Sequence, residues 1–287
     1  MPVPAFATVL VDKHANGVVE VRLNRPAERN AVDRVMHQEL SGLLRWIEDE
    51  PDVGAVLITG MGKSFCAGGS MSFFDELIDD DWRRTIRALD MGTALVREFL
   101  AVRPPIVAAV NGAAVGLGAT LALLSDIIVM AEQATISDPH VRMGVVAGDG
   151  GTLLWPGRVG MARAKEFLLT GDPVDSATAL QIGLVNRVVP GPDLHGAAME
   201  WANRLAGGAR QAIAFTKQAM NAALLREAAS QMPLAIALEA RTFTQPDVAE
   251  GVAAFRERRA PQWPSSAAES GANGGPGAGA RHDRGHP

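Results

Sequence analysis

The chain is 287 residues long, 47% hydrophobic and 21% charged, with a formal net charge of −5. That composition excludes a disordered or fibrous chain and supplies apolar material for a large core, while an acidic balance with no clustered basic face argues against a nucleic-acid groove. A single cysteine, Cys66, rules out an internal disulfide and points to a reducing, cytoplasmic compartment.

In chain order, Thr8–Val11 and Val18–Leu23 read as strands. Asn16-Gly17 between them is a hairpin signal, since both types tolerate positive φ. Asp33 is placed to cap a helix in which Met36, Leu40, Leu43, Leu44 and Ile47 recur at helical spacing. Ala55–Thr59 is a short continuous apolar run, as expected of a strand covered on both faces. The glycine-bearing loop Gly60–Ser70 follows, then an amphipathic helix from Trp82 to Val102 that Pro104-Pro105 stops. Ile106–Val110 is another buried strand and leads into the loop Asn111–Gly118, a short helix and the strand Ile127–Met130. The apolar stretch from Ile106 to Met130 is broken by Asn111, Ser125, Asp126 and several glycines, so it reads as core and not as a membrane span. The N-terminal Met1-Pro2-Val3-Pro4 carries no signal-peptide pattern. Strand, glycine loop and helix recur in an α/β pattern, with the glycine loops at the carboxyl ends of strands, where such folds place their chemistry. The pattern turns mostly helical from Ala162, with one helix predicted over Gln231–Thr244. Residues 264–287 are glycine-rich with few apolar side chains and are predicted to be a disordered tail, in which His282 and His286 are solvated.

Gly116-x-Gly118 lacks the third glycine of a dinucleotide fingerprint, Leu121 standing in its place, and Gly148-Asp149-Gly150-Gly151 lacks the Lys-Ser/Thr ending of a phosphate loop. Gly68-Gly69 and Gly116-Leu117-Gly118 make sense together. A reaction that builds negative charge on a carbonyl oxygen needs two fixed N–H donors aimed at one point, with nothing bulky in the way. The plainer alternative is two tight turns and close helix packing.

Several stretches, in order, are similar to the crotonase (enoyl-CoA hydratase/isomerase) superfamily. They are Asn24-Arg25-Pro26 with Arg29-Asn30-Ala31, Ser64-Phe65-Cys66-Ala67-Gly68-Gly69, and Pro105 through Asn111-Gly112 to Gly118, followed by Ser125-Asp126-Ile127-Ile128, Gly150-Gly151-Thr152, Leu169-Thr170-Gly171, Gly183-Leu184-Val185 and Ala254-Phe255-Arg256-Glu257-Arg258-Arg259. The resemblance covers roughly residues 5–263 and implies an α/β crotonase fold of repeated ββα units in a core over residues 1–200. It also implies a helical region over 201–263 that drives assembly into a homotrimer, or a hexamer built as a dimer of trimers. The implied ligand is an acyl-CoA thioester, with its carbonyl oxygen between the N–H groups of Gly69 and Leu117. Ala67 and Gly116 belong to the implied CoA-binding set, with the Ala67 carbonyl near the adenine, and Arg25 and Arg29 lie in the CoA-binding stretch. No metal and no cofactor beyond the CoA of the substrate are implied, and no membrane or nucleic-acid partner.

The hydratases of that superfamily carry two catalytic glutamates, and the matching positions here hold Thr120 and His140. A threonine hydroxyl is neither acid nor base near neutral pH. The chain offers His140 and Asp149 instead, a pair resembling that of oxocamphor hydrolase, a relative that opens cyclic β-diketones. Asp149 also falls where dienoyl-CoA isomerases place a catalytic aspartate. Other oxocamphor hydrolase positions depart, with Val32 in place of its tryptophan and Leu117 in place of its second histidine. The plainer alternative for Asp149 is a cap on the following helix, and Cys66 fits packing better than nucleophilic attack. The leading expectation is His140 as general base, oriented by Asp149, activating water for hydrolytic C–C cleavage of a β-keto substrate. The alternatives are an enoyl-CoA hydratase or double-bond isomerase, and a non-catalytic CoA-binding protein.

Overall fold

The computed structural model describes residues 2–78 and 82–266. In chain order the regular elements are β1 (Val9–Lys13), β2 (Val18–Leu23), α1 (Arg34–Asp49), β3 (Ala55–Gly60), α2 (Met71–Ile78), α3 (Trp82–Ala101), β4 (Ile106–Val110), β5 (Ala114–Val115), α4 (Leu117–Leu123), β6 (Ile127–Ala131), β7 (Thr135–Ser137), α5 (Gly151–Val159), α6 (Met161–Thr170), β8 (Val174–Asp175), α7 (Ser176–Gln181), β9 (Arg187–Val189), α8 (Leu194–Ala206), α9 (Arg210–Thr242) and α10 (Pro246–Glu257).

Six strands form the main sheet in the order β1-β2-β3-β4-β6-β9, and a smaller sheet takes β5-β7-β8. In the main sheet β1 is antiparallel to β2 and the other neighbours are parallel. The units β4-β5-α4 and β6-β7-α5 each place one strand in each sheet and then a helix, which is the predicted ββα repeat. All of β4 is buried, as its unbroken apolar run requires. The helix α8 lies across β2, β3, β4 and β6, so the boundary predicted at residue 200 falls inside an element that belongs to the core. The break comes at Gly207-Gly208, between α8 and α9. Among the described residues no helix is long and apolar enough to cross a membrane.

The strands and the Trp82 helix stand within two residues of their predicted bounds. Asp33 caps α1 by accepting the Met36 N–H at 2.8 Å. In the first hairpin only Gly17 takes a positive φ, +88°, and the turn closes through the His14 N–H to the Val18 carbonyl at 2.8 Å.

The C-terminal region differs more. The helix predicted over Gln231–Thr244 is one part of the 33-residue α9, which runs straight through Pro233. An interior proline costs a helix about 3 kcal/mol, and here the packing of α9 along α3 outweighs it. The first half of α9 is pinned by Lys217, which is 7% exposed. Its Nζ lies 2.8 Å from Asp126 and donates to the Pro104 carbonyl at 3.0 Å. Asp126 in turn accepts the Ile106 N–H at 2.7 Å, at the start of β4.

The predicted tail begins too early. Residues 264–266 form a helical turn, and Ser265 donates its N–H (3.0 Å) and its hydroxyl (2.6 Å) to Asp247 in the first turn of α10. Residues 267–287, where the rest of the tail prediction falls, lie outside the described residues.

Replacing Lys217 by Met removes the cation that faces Asp126. Breaking a buried ion pair costs about 3–5 kcal/mol. The Asp126 side chain keeps 25% of its exposure, so the loss should fall near about 3 kcal/mol, read as a lowered urea midpoint with an unchanged slope.

Candidate active site

The site begins with two loops that the sheet forces together. The Cys66 and Val115 segments zip, with the Cys66 N–H on the Ala113 carbonyl at 3.1 Å and the Val115 N–H on the Cys66 carbonyl at 2.9 Å. A Cβ on Gly112 would sit 2.0 Å from the Lys63 carbonyl oxygen, and one on Gly118 would sit 2.3 Å from that of Cys66. The zipped loops carry Gly69 and Leu117 to the wall of an apolar cavity of about 380 Å³, which Ala67, Gly116, His140, Phe255, Arg142 and Arg259 also line. Leu117 is the first residue of α4, whose leading N–H groups have no intrahelical acceptor. Neither the Gly69 nor the Leu117 amide donates to a backbone carbonyl of the described residues. Both N–H groups are therefore available to a ligand oxygen.

Behind this cavity lies a smaller one of about 50 Å³, sharing Gly69, Phe74, Leu117 and His140 and adding His37, Asp149 and Glu239. Its chemistry centres on His140, which opens a 3-10 turn, His140–Met143, directly after β7. The ring stands against Gly116, which has φ +52° and whose Cβ, if present, would lie 3.3 Å from the ring Cε1. Nδ1 of His140 is hydrogen-bonded to Asp138, and Nε2 faces an Asp149 carboxylate oxygen at 3.5 Å.

The predicted His140–Asp149 contact is present, and Asp138 adds a second carboxylate on the other ring nitrogen. The carboxylate that orients the imidazole is Asp138, two residues away, while Asp149 occupies the other face. Burial alone would lower the His140 pKa, but Asp138 and Asp149 outweigh it and raise it to about 10. Held protonated in this way, with a carboxylate at each ring nitrogen, His140 offers no free nitrogen to take a proton from water, which speaks against the expected general-base role. Burial pushes Asp149 up to about 6, against the pull of His140 and a 3.4 Å hydrogen bond from the Thr120 hydroxyl. Asp149 is therefore mostly ionised at neutral pH and close to giving up that charge. The N-cap residue of α5 is Gly150, which has no side chain to offer, but the Asp149 carboxylate accepts a hydrogen bond from the Gly151 N–H at the start of that helix, which also holds its pKa down.

The donor atoms of Asp138, His140 and Asp149 lie within 4.8 Å of one another. That spacing suits a metal ion, yet a protonated imidazole already bridges the two carboxylates.

Of the predicted binding residues, Ala67 and Gly116 line the large cavity, but Arg25 and Arg29 do not. The Arg25 guanidinium is committed to Glu28 (2.6 Å), Asp33 (3.0 Å) and the Ala31 carbonyl (2.8 Å). Arg29 is exposed, and its backbone carbonyl accepts the Ala67 N–H at 3.0 Å. The arginines at the cavity are Arg142 and Arg259. Cys66 is fully buried and its thiol is pushed up to about 12, mainly by burial, which leaves it a packing residue.

The sequence reading gave no role to Asp138, His37 or Glu239. Glu239 and His37 carried a signal. Each is polar on an otherwise apolar helical stripe, with Met232, Ala235 and Ile236 beside Glu239, and Leu40 and Leu44 beside His37. Burial lowers His37 to about 4, so it is neutral in the inner cavity.

The chain belongs to the enoyl-CoA hydratase/isomerase family, whose sequence profile matches residues 13–266. It is similar to the mitochondrial enoyl-CoA hydratase of Pongo abelii, 33% identical over 88% of this chain and 87% of that one. It is also similar to the 1,2-epoxyphenylacetyl-CoA isomerase of Escherichia coli K12, 33% identical over 86% of this chain and 95% of that one. A solved enoyl-CoA hydratase/isomerase from Mycobacterium paratuberculosis superposes with a TM-score of 0.82 at 35% identity, covering 86% of this chain and 98% of that one. These matches fit the predicted crotonase fold and an acyl-CoA enzyme.

The protonated His140 has a pH signature. Its folded pKa stands above the ordinary 6.5, so its contribution to stability is fully present below about pH 6.5 and is lost as pH rises through about 10. The imidazole resonances should titrate near that upper value. Asp138→Asn should move the midpoint down, which NMR titration of both proteins would measure.

Proposed function

We propose that the protein is an acyl-CoA double-bond isomerase that moves a proton along the acyl chain with Asp149 as base. The carrying observation is that both ring nitrogens of His140 are taken up by Asp138 and Asp149. Asp149 is then the group that can accept a proton near neutral pH beside Gly69 and Leu117, with which it shares the inner cavity. The similarity to an isomerase supports the same reading.

In this mechanism the thioester oxygen accepts hydrogen bonds from the Gly69 and Leu117 amides, and Asp149 removes the proton on the carbon next to the thioester. The enolate charge develops on an oxygen held by two donors that need not reorganise. The His140 imidazolium stabilises the ionised form of Asp149 and keeps it aimed at the cavity. Thr120 cannot serve as an acid or base, and the hydroxyl it donates to Asp149 restrains that carboxylate further. Ala67 and Gly116 would meet the CoA portion, and Arg142 and Arg259 are the cations best placed for its phosphates.

Hydration of a conjugated enoyl-CoA is the second reading, favoured by the similarity to the mitochondrial hydratase. Hydrolytic C–C cleavage loses its support with the loss of a neutral His140. We also propose that the protein assembles as a homotrimer or a dimer of trimers. Phe215, Met220, Leu234 and Leu238 of α9 are large apolar side chains at least 43% exposed in the single chain, and light scattering would give the mass of the assembly.

The expected outcome is conversion of a 3-enoyl-CoA to the conjugated 2-enoyl-CoA, followed by ultraviolet absorbance. Asp149→Asn should lower kcat by about 10²–10⁴ with little change in KM. Because the base must be ionised, kcat should rise with pH through about 6. A protein that leaves 3-enoyl-CoAs untouched and hydrates 2-enoyl-CoAs would move the second reading to first place.

A further inference from the structure

Glu239 has no part in the mechanism above, yet it faces the same small cavity as Asp149. It stands on α9 and reaches the site because Gly148 lacks a side chain. A Cβ there would lie 2.3 Å from Glu239 Oε2 and 3.0 Å from the Ala235 carbonyl oxygen. The residue is 4% exposed, and its Oε2 is buried with no hydrogen-bond partner. The backbone around it is tied down, with the Glu239 carbonyl accepting the Thr242 hydroxyl (2.6 Å), which itself accepts the Val146 N–H (3.4 Å). The groups electrostatically nearest to it are His140, Asp149 and Asp138, and the neutral His37 of α1 lines the same cavity.

Charge balance decides its protonation. One imidazolium already faces two carboxylates. Like charges repel strongly where water cannot screen them, so a third buried carboxylate is disfavoured. Burial, together with the Asp149 and Asp138 charges, pushes Glu239 up to about 8 despite the opposing pull of His140.

Resting on the isomerase reading above, we propose that Glu239 is a second proton-transfer residue, which protonates the acyl carbon two positions beyond the one that Asp149 deprotonates. Asp149 takes the proton from the carbon next to the thioester, and the electron pair of that C–H bond forms the enolate. The pair then returns from oxygen, the double bond moves one position toward the thioester, and the former alkene pair takes the proton of Glu239. The substrate has lost one proton and gained one. Asp149 holds the first, Glu239 carries the charge, and a proton passing from Asp149 to Glu239 restores both. The inner cavity, at about 50 Å³, has room for the one water that could relay it.

The test separates the two proton transfers in the full-length protein. Exchange of the hydrogens next to the thioester of 3-hexenoyl-CoA with deuterated solvent reports the Asp149 step, and formation of 2-hexenoyl-CoA reports the whole reaction. Glu239→Gln should keep the exchange rate and the affinity for the thioester while isomerisation falls by about 10²–10⁴. Wild-type isomerisation should decline as pH rises through about 8, where Glu239 loses its proton, and Glu239→Gln should lack that alkaline limb. Glu239→Asp should recover the limb and part of the rate. Unchanged isomerisation in Glu239→Gln would overturn the inference while leaving Asp149 in place. Parallel loss of exchange and isomerisation, or of the folded state in both variants, would assign Glu239 a structural role and overturn it too. A wild-type protein that neither exchanges nor isomerises would overturn the isomerase reading itself.

Discussion

Val56, Leu57, Ile58 and Thr59 of β3 pair in parallel register with Ile106, Val107, Ala108 and Ala109 of β4. The two segments therefore leave the sheet side by side and in the same direction, and the loops beyond them must run against one another. Everything at the site depends on that constraint. The loops approach closely enough for Cys66 to bridge to Ala114, at separations that leave no room for a side chain at Gly112 or Gly118. The positions of the Gly69 and Leu117 amides are thus set by the pairing of two buried strands and not by the loops' own preferences. A rigid sheet fixes the donors, and the donors need no reorganisation when charge appears.

The second constraint is electrical. Asp138 has a side chain with no exposure, and its carboxylate must be compensated. The imidazolium of His140 does this, and the same cation faces Asp149. A base that is ionised near neutral pH inside an apolar pocket would otherwise be hard to maintain, because burial raises a carboxylate's pKa. The Asp138–His140 pair acts as a fixed positive counter-charge that moderates this effect, and Asp149 settles at about 6. His140 serves the chemistry by staying charged.

How much of this could be read from the sequence followed the range of the interactions. β3, β4 and the two glycine loops were legible because periodicity, apolar runs and glycine spacing are local signals. Asp149 was singled out by the resemblance to the superfamily and not by a local pattern. The second partner of His140 was missed because a spacing of two residues gives no sign of contact by itself, and only the turn at Pro139–Met143 brings Asp138 onto the ring beside Asp149. Sequence also cannot show that Arg25 is held by Glu28, Asp33 and the Ala31 carbonyl, or that Arg142 and Arg259 stand at the cavity. Glu239 is more than ninety residues from His140 and reaches it only through the packing of α9. Its single local trace was a charge on an apolar stripe. The length of α9 was hidden by Pro233 and by apolar residues on more than one face of its first half.

The run Gly148-Asp149-Gly150-Gly151 shows how packing gives meaning to a motif that is not a phosphate loop. Each glycine admits a different neighbour to the one acidic residue among them. Gly148 admits Glu239 from α9, Gly150 admits Thr120 from α4, and Gly151 admits Asp138 from the end of β7. Cβ atoms at these positions would fall 2.3, 2.8 and 2.1 Å from side-chain atoms of those neighbours. Gly150 also needs its φ of +122°, which an L side chain rarely adopts. Three elements distant in sequence converge on Asp149 because the chain around it has no side chains to hold them off. A carboxylate crowded in this way has its pKa set by what surrounds it, and the same glycines that expose it to Thr120 and His140 also bring its charge to bear on Glu239. The tuning of Asp149 and the retention of a proton on Glu239 are therefore one electrostatic equilibrium, reached through the absence of three side chains.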